Sequence, residues 1–197
     1  HYNTGLHTSE NGRTLSDQLE ILIGQWPEPL DEIAIIAHSM GGLVCRSACH
    51  YGYQKNHRWL QKLGKLFFLG TPHHGAPLEQ GGNWINHVLG ATPYTAPFAR
   101  LGHIRSAGIT DLRYGNIVDE DWAGFDRFGM NGDRREPVSL PGHAVCGAIA
   151  ASNCGKTDLA GGWRVGDGLV SVNSALGRHD NAELALPIPD THRWIGY

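Results

Sequence analysis

Ser39 is the residue in this chain whose surroundings best fit a nucleophile. It stands between a run of branched apolar residues, Ile33–Ala37, and an apolar segment with helical spacing that begins at Met40. A serine on the sharp turn between a strand and a helix projects its hydroxyl beyond the end of the sheet. Small residues, Ala37 and Gly41, occupy the positions two before and two after it, where strand and helix come close. The pattern predicts a nucleophile elbow at Ser39.

A serine hydroxyl needs a histidine to take its proton, and a carboxylate usually orients that histidine. Where this triad is built on a parallel sheet, the order along the chain is serine, acid, histidine. Asp167 is the best acid candidate, because flanking glycines place it on a tight loop and Leu169-Val170 anchors that loop. The alternative is that Asp167 only satisfies backbone donors of a glycine-rich turn. Three weaker candidates lack apolar residues on both sides: Asp158, Asp180 and Asp190.

Two histidines follow Asp167, namely His179 and His192. His192 precedes the last predicted strand, whereas the base of such a site belongs on a loop after the final strand. We therefore expect the base beyond Tyr197, with His192 as the alternative inside the chain. The backbone N–H of Met40 is expected to supply one oxyanion donor, and the second is expected on a loop that precedes the first residue.

Three other histidines lie close to these motifs and are predicted to line the substrate pocket: His38, His73 and His74. Adjacent histidines point in different directions from an extended backbone, and no cysteine or carboxylate accompanies them, so a metal site is not predicted. Hydrogen bonding to the neighbouring loop is the other role open to this pair. His38 is predicted to be a packed histidine and not the base.

The elements that must position these residues are visible as apolar patterns. Two segments are predicted helices: Arg13–Trp26, and Met40 to about Tyr51. The first is expected to pack on the sheet through five residues: Leu15, Leu19, Leu22, Ile23 and Trp26. Four apolar runs are predicted strands: Ile33–Ala37, Leu66–Leu69, Ala144–Ile149 and Arg193–Tyr197. The alternation predicts an α/β fold with a mostly parallel sheet covered by helices on both faces.

The 197 residues fit one domain with a long insertion, about residues 78–142, between the second and third strands. The insertion is either a lid over Ser39 or a solvated surface loop. Its aromatic residues form either an acyl-binding wall or ordinary packing: Trp84, Tyr94, Phe98 and Trp122. The run Asp119-Glu120-Asp121 either holds calcium or, the favoured interpretation, forms a solvated turn.

Composition excludes several classes of partner. The net charge is −3 and the 16 Lys and Arg are scattered, so nothing indicates nucleic-acid binding. No apolar run approaches the roughly 20 residues of a membrane span, and the chain is expected to be soluble. The pattern requires no cofactor. The cysteines are too few for a disulfide scaffold and are expected to be reduced: Cys45, Cys49, Cys146 and Cys154.

Three motifs in this order resemble the esterase and lipase branch of the α/β hydrolases: Ala37–Gly42, Leu69–Pro77, and Gly166–Val170 with Ser174–Gly177. The likeness spans nearly the whole chain and is greatest to bacterial members with a GPI inositol-deacylase-like domain and to triacylglycerol lipases. It implies that Ser39 is the nucleophile and Asp167 the acid. In such relatives the base follows shortly after a segment like Arg193–Tyr197.

The predicted function is therefore a serine ester hydrolase that acts on small-molecule or lipid-like carboxylic esters. An acyltransferase on the same fold and a non-catalytic binding module remain open as alternatives. Because the base and one oxyanion donor are expected outside it, this chain alone is expected to show little activity. Acyl and alcohol preference, oligomeric state and cellular location are not determined by the sequence.

Overall fold

Four parallel strands form the centre of the fold in a computed structural model that describes residues 2–76, 106–124, 133, 135–152 and 170–196. In sheet order these are β1 (Ile33–His38), β2 (Leu63–Leu69), β3 (Val145–Ala151) and β4 (Arg193–Gly196). Each strand pairs in parallel with the next one along the chain. The four predicted strands and the parallel sheet are confirmed, with β2 beginning at Leu63 and not at Leu66.

The described part of the chain contains five α-helices: α1 (Thr8–Gln25), α2 (Met40–Gln54), α3 (Trp59–Lys62), α4 (Ala107–Tyr114) and α5 (Val172–Ala175). The two predicted helices are confirmed as α1 and α2. α1 begins earlier than predicted because carboxylates satisfy the N–H groups at its start. Glu10 accepts the His7 N–H at 2.9 Å, and the buried Asp111 of α4 accepts the Thr8 N–H at 2.7 Å.

Small residues allow α1 to lie close against α2. A Cβ added at Gly12 would lie 2.2 Å from Ser47 Oγ, and one added at Gly52 would lie 2.6 Å from Ser16 Oγ. Ser16 Oγ also accepts the indole N–H of Trp59 at 3.0 Å. α1 is therefore held by a close backbone approach to α2 and by a buried hydrogen bond to α3.

The apolar stripe of α1 is narrower than predicted. Three of its residues pack against the main core: Leu15, Leu19 and Ile23. Leu22 and Trp26, which were predicted to pack as well, are exposed. Small residues, and not large apolar ones such as Leu22, form the face of α1 that meets α2. Trp26 lies beyond the end of α1, in extended backbone.

Four of the five described helices, α1, α2, α3 and α5, pack on one face of the sheet. On that face Leu66, Phe68 and Ala148 are completely buried and share the main core with residues of α2, α3 and α5. The other face exposes apolar side chains: Ile36, Val145, Ile149 and Trp194. Within the described residues, the predicted helical cover is thus seen on one face. In this part of the chain, no helix has the length and apolar character to span a membrane.

The described part of the predicted insertion is docked on α1 and α2. Ile117, Val118 and Val138 form a second core with Leu43 and Tyr51 of α2. Trp122 stacks on the ring of His7 with a centroid distance of 3.6 Å, and its indole N–H donates to Ser9 Oγ at 3.3 Å. Trp122 is therefore a packing residue. The other three candidate wall residues lie outside the described residues: Trp84, Tyr94 and Phe98.

The acidic tract Asp119–Asp121 fixes the backbone of this docked segment. The carboxylate of Asp121 accepts three backbone N–H groups, at 2.7, 3.1 and 2.8 Å, from Ile117, Val118 and Glu136. Asp119 forms an ion pair with Arg13 of α1. The tract is thus more than a solvated turn, and no cluster of metal-binding side chains occurs among the described residues.

Substitution of Gly12 tests the close contact between α1 and α2. Gly12→Ala is expected to lower the free energy of unfolding by about 1 to 3 kcal/mol, because the new Cβ would collide with Ser47. Gly24→Ala is the matched control in the same helix, since its Cβ would meet only Arg58 Nη2 at 3.6 Å. The control should gain up to about 1 kcal/mol from helix propensity. Urea unfolding measures both, and equal effects would contradict the contact.

Candidate active site

Ser39 connects β1 to α2 with a backbone conformation that favours glycine. Its φ is 53° and its ψ is −130°, close to the first central position of a type II′ turn. Among the described residues, Asn56 is the only other non-glycine residue with positive φ. Such a conformation costs about 1 to 3 kcal/mol and persists only where the surroundings enforce it. The hydroxyl makes no capping hydrogen bond to α2.

Hydrogen bonds on both sides hold this turn. The Ser39 N–H donates to the carbonyl of Leu69, at the end of β2, at 2.9 Å. The Ser39 carbonyl accepts the N–H of Gly42 at 3.0 Å. The elbow is therefore fixed by the neighbouring strand and by the first turn of α2.

The close approach behind the elbow is at Gly42 and not at Gly41. A Cβ at Gly42 would lie 2.1 Å from Thr71 Oγ1 and 2.8 Å from Thr71 Cβ. A Cβ at Gly41 would meet only the ring of Tyr2, at 3.9 Å. The prediction that Gly41 is the crowded position is wrong, because the loop after β2 packs against the buried Gly42 instead. Thr71 was missed in the sequence, where nothing indicates this contact.

Met40 occupies the first position of α2, where a backbone N–H has no acceptor within the helix. That N–H is the predicted oxyanion donor. The Met40 side chain is buried, and a Cβ added at Gly108 of α4 would lie 2.8 Å from Met40 Cε and 2.6 Å from the Thr4 carbonyl oxygen. α4 and the turn before α1 therefore border the elbow.

Asn11 fixes the turn that precedes α1. Its Oδ1 accepts the Asn3 N–H at 3.0 Å, and its Nδ2 donates to the Asn3 carbonyl at 2.9 Å. The side-chain oxygen of Asn3 accepts the Gly5 N–H at 2.8 Å. Sequence reasoning did not single out Asn11, although a buried asparagine in an otherwise amphipathic helix is a signal for such a role.

The structure does not bring His192 to Ser39. In the register of the sheet, Trp194 of β4 pairs with Ile149 of β3. Ile149 pairs with Leu69 of β2, and Leu69 pairs with His38 of β1. Ser39 follows β1, and His192 lies three strands away from it, beside β4, and three residues before the β4 residue that is level with Ser39. For ideal strand spacings this separates the two residues by roughly 17 Å. The ring of His192 instead stacks on Trp194 with a centroid distance of 6.2 Å. His38, predicted to be packed, is exposed at the end of β1.

His179 belongs to a different cluster. Its Nε2 lies 3.4 Å from Asp133 Oδ2, and its ring centroid lies 4.7 Å from that of His74. Asp133 in turn pairs with Arg135 at 2.6 Å. Of the weaker acid candidates, Asp190 is occupied by Arg178 and Arg193 at 2.9 and 3.1 Å. Asp158 lies outside the described residues, and Asp180 makes no ion pair within them.

Asp167 also lies outside the described residues, but the segment after it is fastened next to the elbow. Val170 is buried in the main core, as predicted. In α5, Ser174 Oγ accepts the His74 N–H at 3.0 Å and donates to the adjacent Gly75 carbonyl at 2.9 Å. This bridge joins α5 to the loop after β2.

Ser174 belongs to the third motif, but its bridging role was not predicted from the sequence, although a local signal exists. Ser171 Oγ accepts the Ser174 N–H at 3.2 Å and caps α5. A Ser-x-x-Ser pattern after Asp167 marks the start of a short helix. The contact of that helix with residues 70–76 is a tertiary feature that the pattern does not contain.

His73 and His74 point to different environments, as predicted for adjacent histidines. His73 is completely buried with its ring edge-on to Phe68, 4.6 Å between centroids, and neither ring nitrogen has a hydrogen-bond partner. Nδ1 of His74 lies 3.3 Å from Arg135 Nη1. Burial, reinforced by Arg46 and Arg135, holds the pKa of His73 well below its usual range and lowers the pKa of His74 to about 3. Both side chains line a small cavity on the flank of α2.

Three cysteines are reduced and buried, as expected: Cys45, Cys49 and Cys146. Burial raises the pKa of the Cys45 and Cys146 thiols to about 11. They are therefore packing residues and not nucleophiles. Cys154 lies outside the described residues.

Comparison with known proteins identifies the fold. The family described as PGAP1-like alpha/beta domain matches residues 3–134. The mature form of the lipase BlEst2 from Bacillus licheniformis is 17% identical with a TM-score of 0.51, covering 96% of this chain and 67% of that one. Its propeptide form is 17% identical with a TM-score of 0.49, covering 91% and 37%. No curated protein matches significantly. The fold is that of the α/β-hydrolase superfamily, as the motifs indicate.

Two substitutions that both remove the hydroxyl test the strain at Ser39. Ser39→Gly is expected to be more stable than Ser39→Ala by about 1 kcal/mol or more, because glycine adopts a φ of 53° without strain while alanine does not. Denaturant unfolding of the two variants measures the difference. An alanine variant as stable as the glycine variant would show that the backbone is not strained.

The pH dependence of stability tests the burial of His74. Below pH about 6.5 the unfolded chain binds a proton there, whereas the folded protein binds it only near pH 3. The free energy of unfolding therefore falls as the pH drops from 6.5 to 4. His74→Gln should reduce this slope by about 1.4 kcal/mol per pH unit. His38→Gln is the control, because it removes an imidazole on the surface. A slope that is unchanged in His74→Gln would contradict the burial of His74.

Proposed function

Because the chain belongs to the PGAP1-like alpha/beta domain family, within the α/β-hydrolase superfamily, we propose that it is a serine ester hydrolase acting through an acyl-enzyme. The observation that carries this proposal is the strained backbone of Ser39 at the end of β1. Strain of this kind contributes nothing to stability and is typical of functional sites. Its effect is to present a hydroxyl at the edge of the sheet where the parallel strands end.

The proposed reaction has two stages. Ser39 Oγ attacks the ester carbonyl carbon while a histidine takes its proton, and the Met40 N–H stabilises the tetrahedral oxyanion. The intermediate collapses, and the alcohol leaves with that proton. Water then attacks the acyl-enzyme, the carboxylic acid is released, and the histidine returns a proton to Ser39. No cofactor takes part in these steps.

We assign the acid to Asp167 and the base to a histidine beyond the carboxyl end of β4. The ends of β1 and β4 lie at the same edge of the parallel sheet, so a loop after β4 approaches that edge, whereas His192 precedes the strand. The fastening of α5 beside the elbow by Ser174 supports a position of Asp167 at the same edge. The role of Asp167 is to orient the histidine.

Carboxylic esters with apolar, lipid-like acyl groups are the proposed substrates. Support comes from the border of the elbow, where the buried side chain of Met40 meets α4. The protein that shares this fold, BlEst2, is described as a lipase. Small-molecule esters fit the same chemistry.

Labelling by a fluorophosphonate tests the nucleophile. In the full-length protein, Ser39→Ala should abolish both labelling and turnover of a chromogenic ester, because the attacking oxygen is removed. Ser139→Ala, at an exposed serine, is the matched control and should retain both. Undiminished labelling of the Ser39 variant would overturn the assignment.

A further inference from the structure

We propose that the cavity on the flank of α2 binds one halide-sized anion beside Arg46. The charged and imidazole side chains that line this arginine cavity come from α2, the loop after β2 and the docked segment: Arg46, His73, His74, Asp121, Arg135 and Glu136. It lies two helical turns along α2 from Ser39 and belongs to no step of the ester chemistry.

Arg46 is a buried cation that forms no ion pair with a described residue, and the nearby charge of Asp121 only partly offsets the cost of its burial. It is 6% exposed, and within the described residues its Nη2 donates to the Val138 carbonyl at 3.3 Å. Its Nε is buried without a hydrogen-bond partner, and no carboxylate of the described residues forms an ion pair with it. Burying an unpaired charge is strongly unfavourable, so buried cations are normally matched by an anion. The second guanidinium, Arg135, lines the same cavity.

Two of the neighbouring carboxylates are already engaged. Asp121 accepts three backbone N–H groups, and Asp133 holds Arg135 and His179. The third, Glu136, also lines the cavity but is an exposed residue, and none of the three forms an ion pair with Arg46.

The two histidines add donors and no charge. The lowered pKa values of His73 and His74 keep both rings neutral, and each neutral imidazole carries one N–H donor. Both ring nitrogens of His73 are buried without a hydrogen-bond partner among the described residues. Cationic and neutral donors therefore meet around one space, which is the chemistry that an anion needs.

The size of the cavity limits which anion can enter. It has room for about one water molecule. A phosphate or a lipid headgroup is too large for this space, whereas a chloride ion fits with small shifts of the lining side chains.

The bound anion would stabilise the loop behind the elbow. Arg135 Nη1 donates to the His73 carbonyl at 2.9 Å, and Thr71 of the same loop packs on Gly42. The single negative charge of the anion lowers the repulsion between the two guanidiniums and keeps this loop in place. The role is structural, so it does not depend on the proposed ester hydrolysis.

Thermal unfolding of the full-length protein in two sodium salts tests the proposal. At equal ionic strength, chloride should raise the melting temperature by about 3 °C over methanesulfonate, with a saturable dependence on concentration. Arg46→Met should lose this difference. Arg58→Met, at an exposed arginine paired with Glu20, is the control and should retain it. Equal melting temperatures of the wild-type protein in the two salts would overturn the proposal.

Crystals of the wild-type protein grown in sodium bromide provide an independent measurement that does not require a folded variant. An anomalous bromide peak within hydrogen-bonding distance of the Arg46 guanidinium is the expected result. A cavity that holds water alone, or a peak that persists unchanged in Arg46→Met, would overturn the site.

Discussion

The backbone of Ser39 is held in a conformation that a serine adopts only under constraint, and the surrounding elements supply that constraint. The end of β2 accepts the Ser39 N–H, and the first turn of α2 donates to its carbonyl. Behind the turn, Thr71 packs so closely on Gly42 that no larger residue fits there. The elbow is therefore not a property of residues 37–42 alone. It depends on a loop that is about thirty residues away in sequence and is placed by the pairing of β1 with β2.

That loop is itself secured from two directions. On one side, Ser174 ties it to α5, which follows directly on the segment that carries Asp167. On the other side, Arg135 binds the carbonyl of His73 and links the loop to the docked part of the insertion. The insertion in turn shares a second core with α2. Ser39 and the segments that surround it are thus joined through one loop.

Patterns that are local in sequence predicted the local structure well. The branched run before Ser39 forms β1, the helical spacing after it forms α2, and the order of motifs indicated the α/β-hydrolase fold. Contacts between segments that are distant in sequence could not be predicted, because no local pattern encodes them. Helical spacing placed Trp26 against the sheet, yet α1 ends at Gln25 and Trp26 is exposed in the extended backbone that follows. The crowding expected at Gly41 occurs at Gly42, since only the fold decides which side of α2 meets Thr71.

A crystal structure of the full-length protein after reaction with an alkyl phosphonate tests the central claim most directly, because the phosphorus then mimics the tetrahedral carbon of the reaction. The account predicts a covalent bond from phosphorus to Ser39 Oγ and a phosphoryl oxygen about 2.7 to 3.1 Å from the Met40 backbone nitrogen. It also predicts that Ser39 keeps its positive φ in the adduct. A phosphonate attached to another residue, or a phosphoryl oxygen directed away from Met40, would contradict the assignment of this elbow as the catalytic centre.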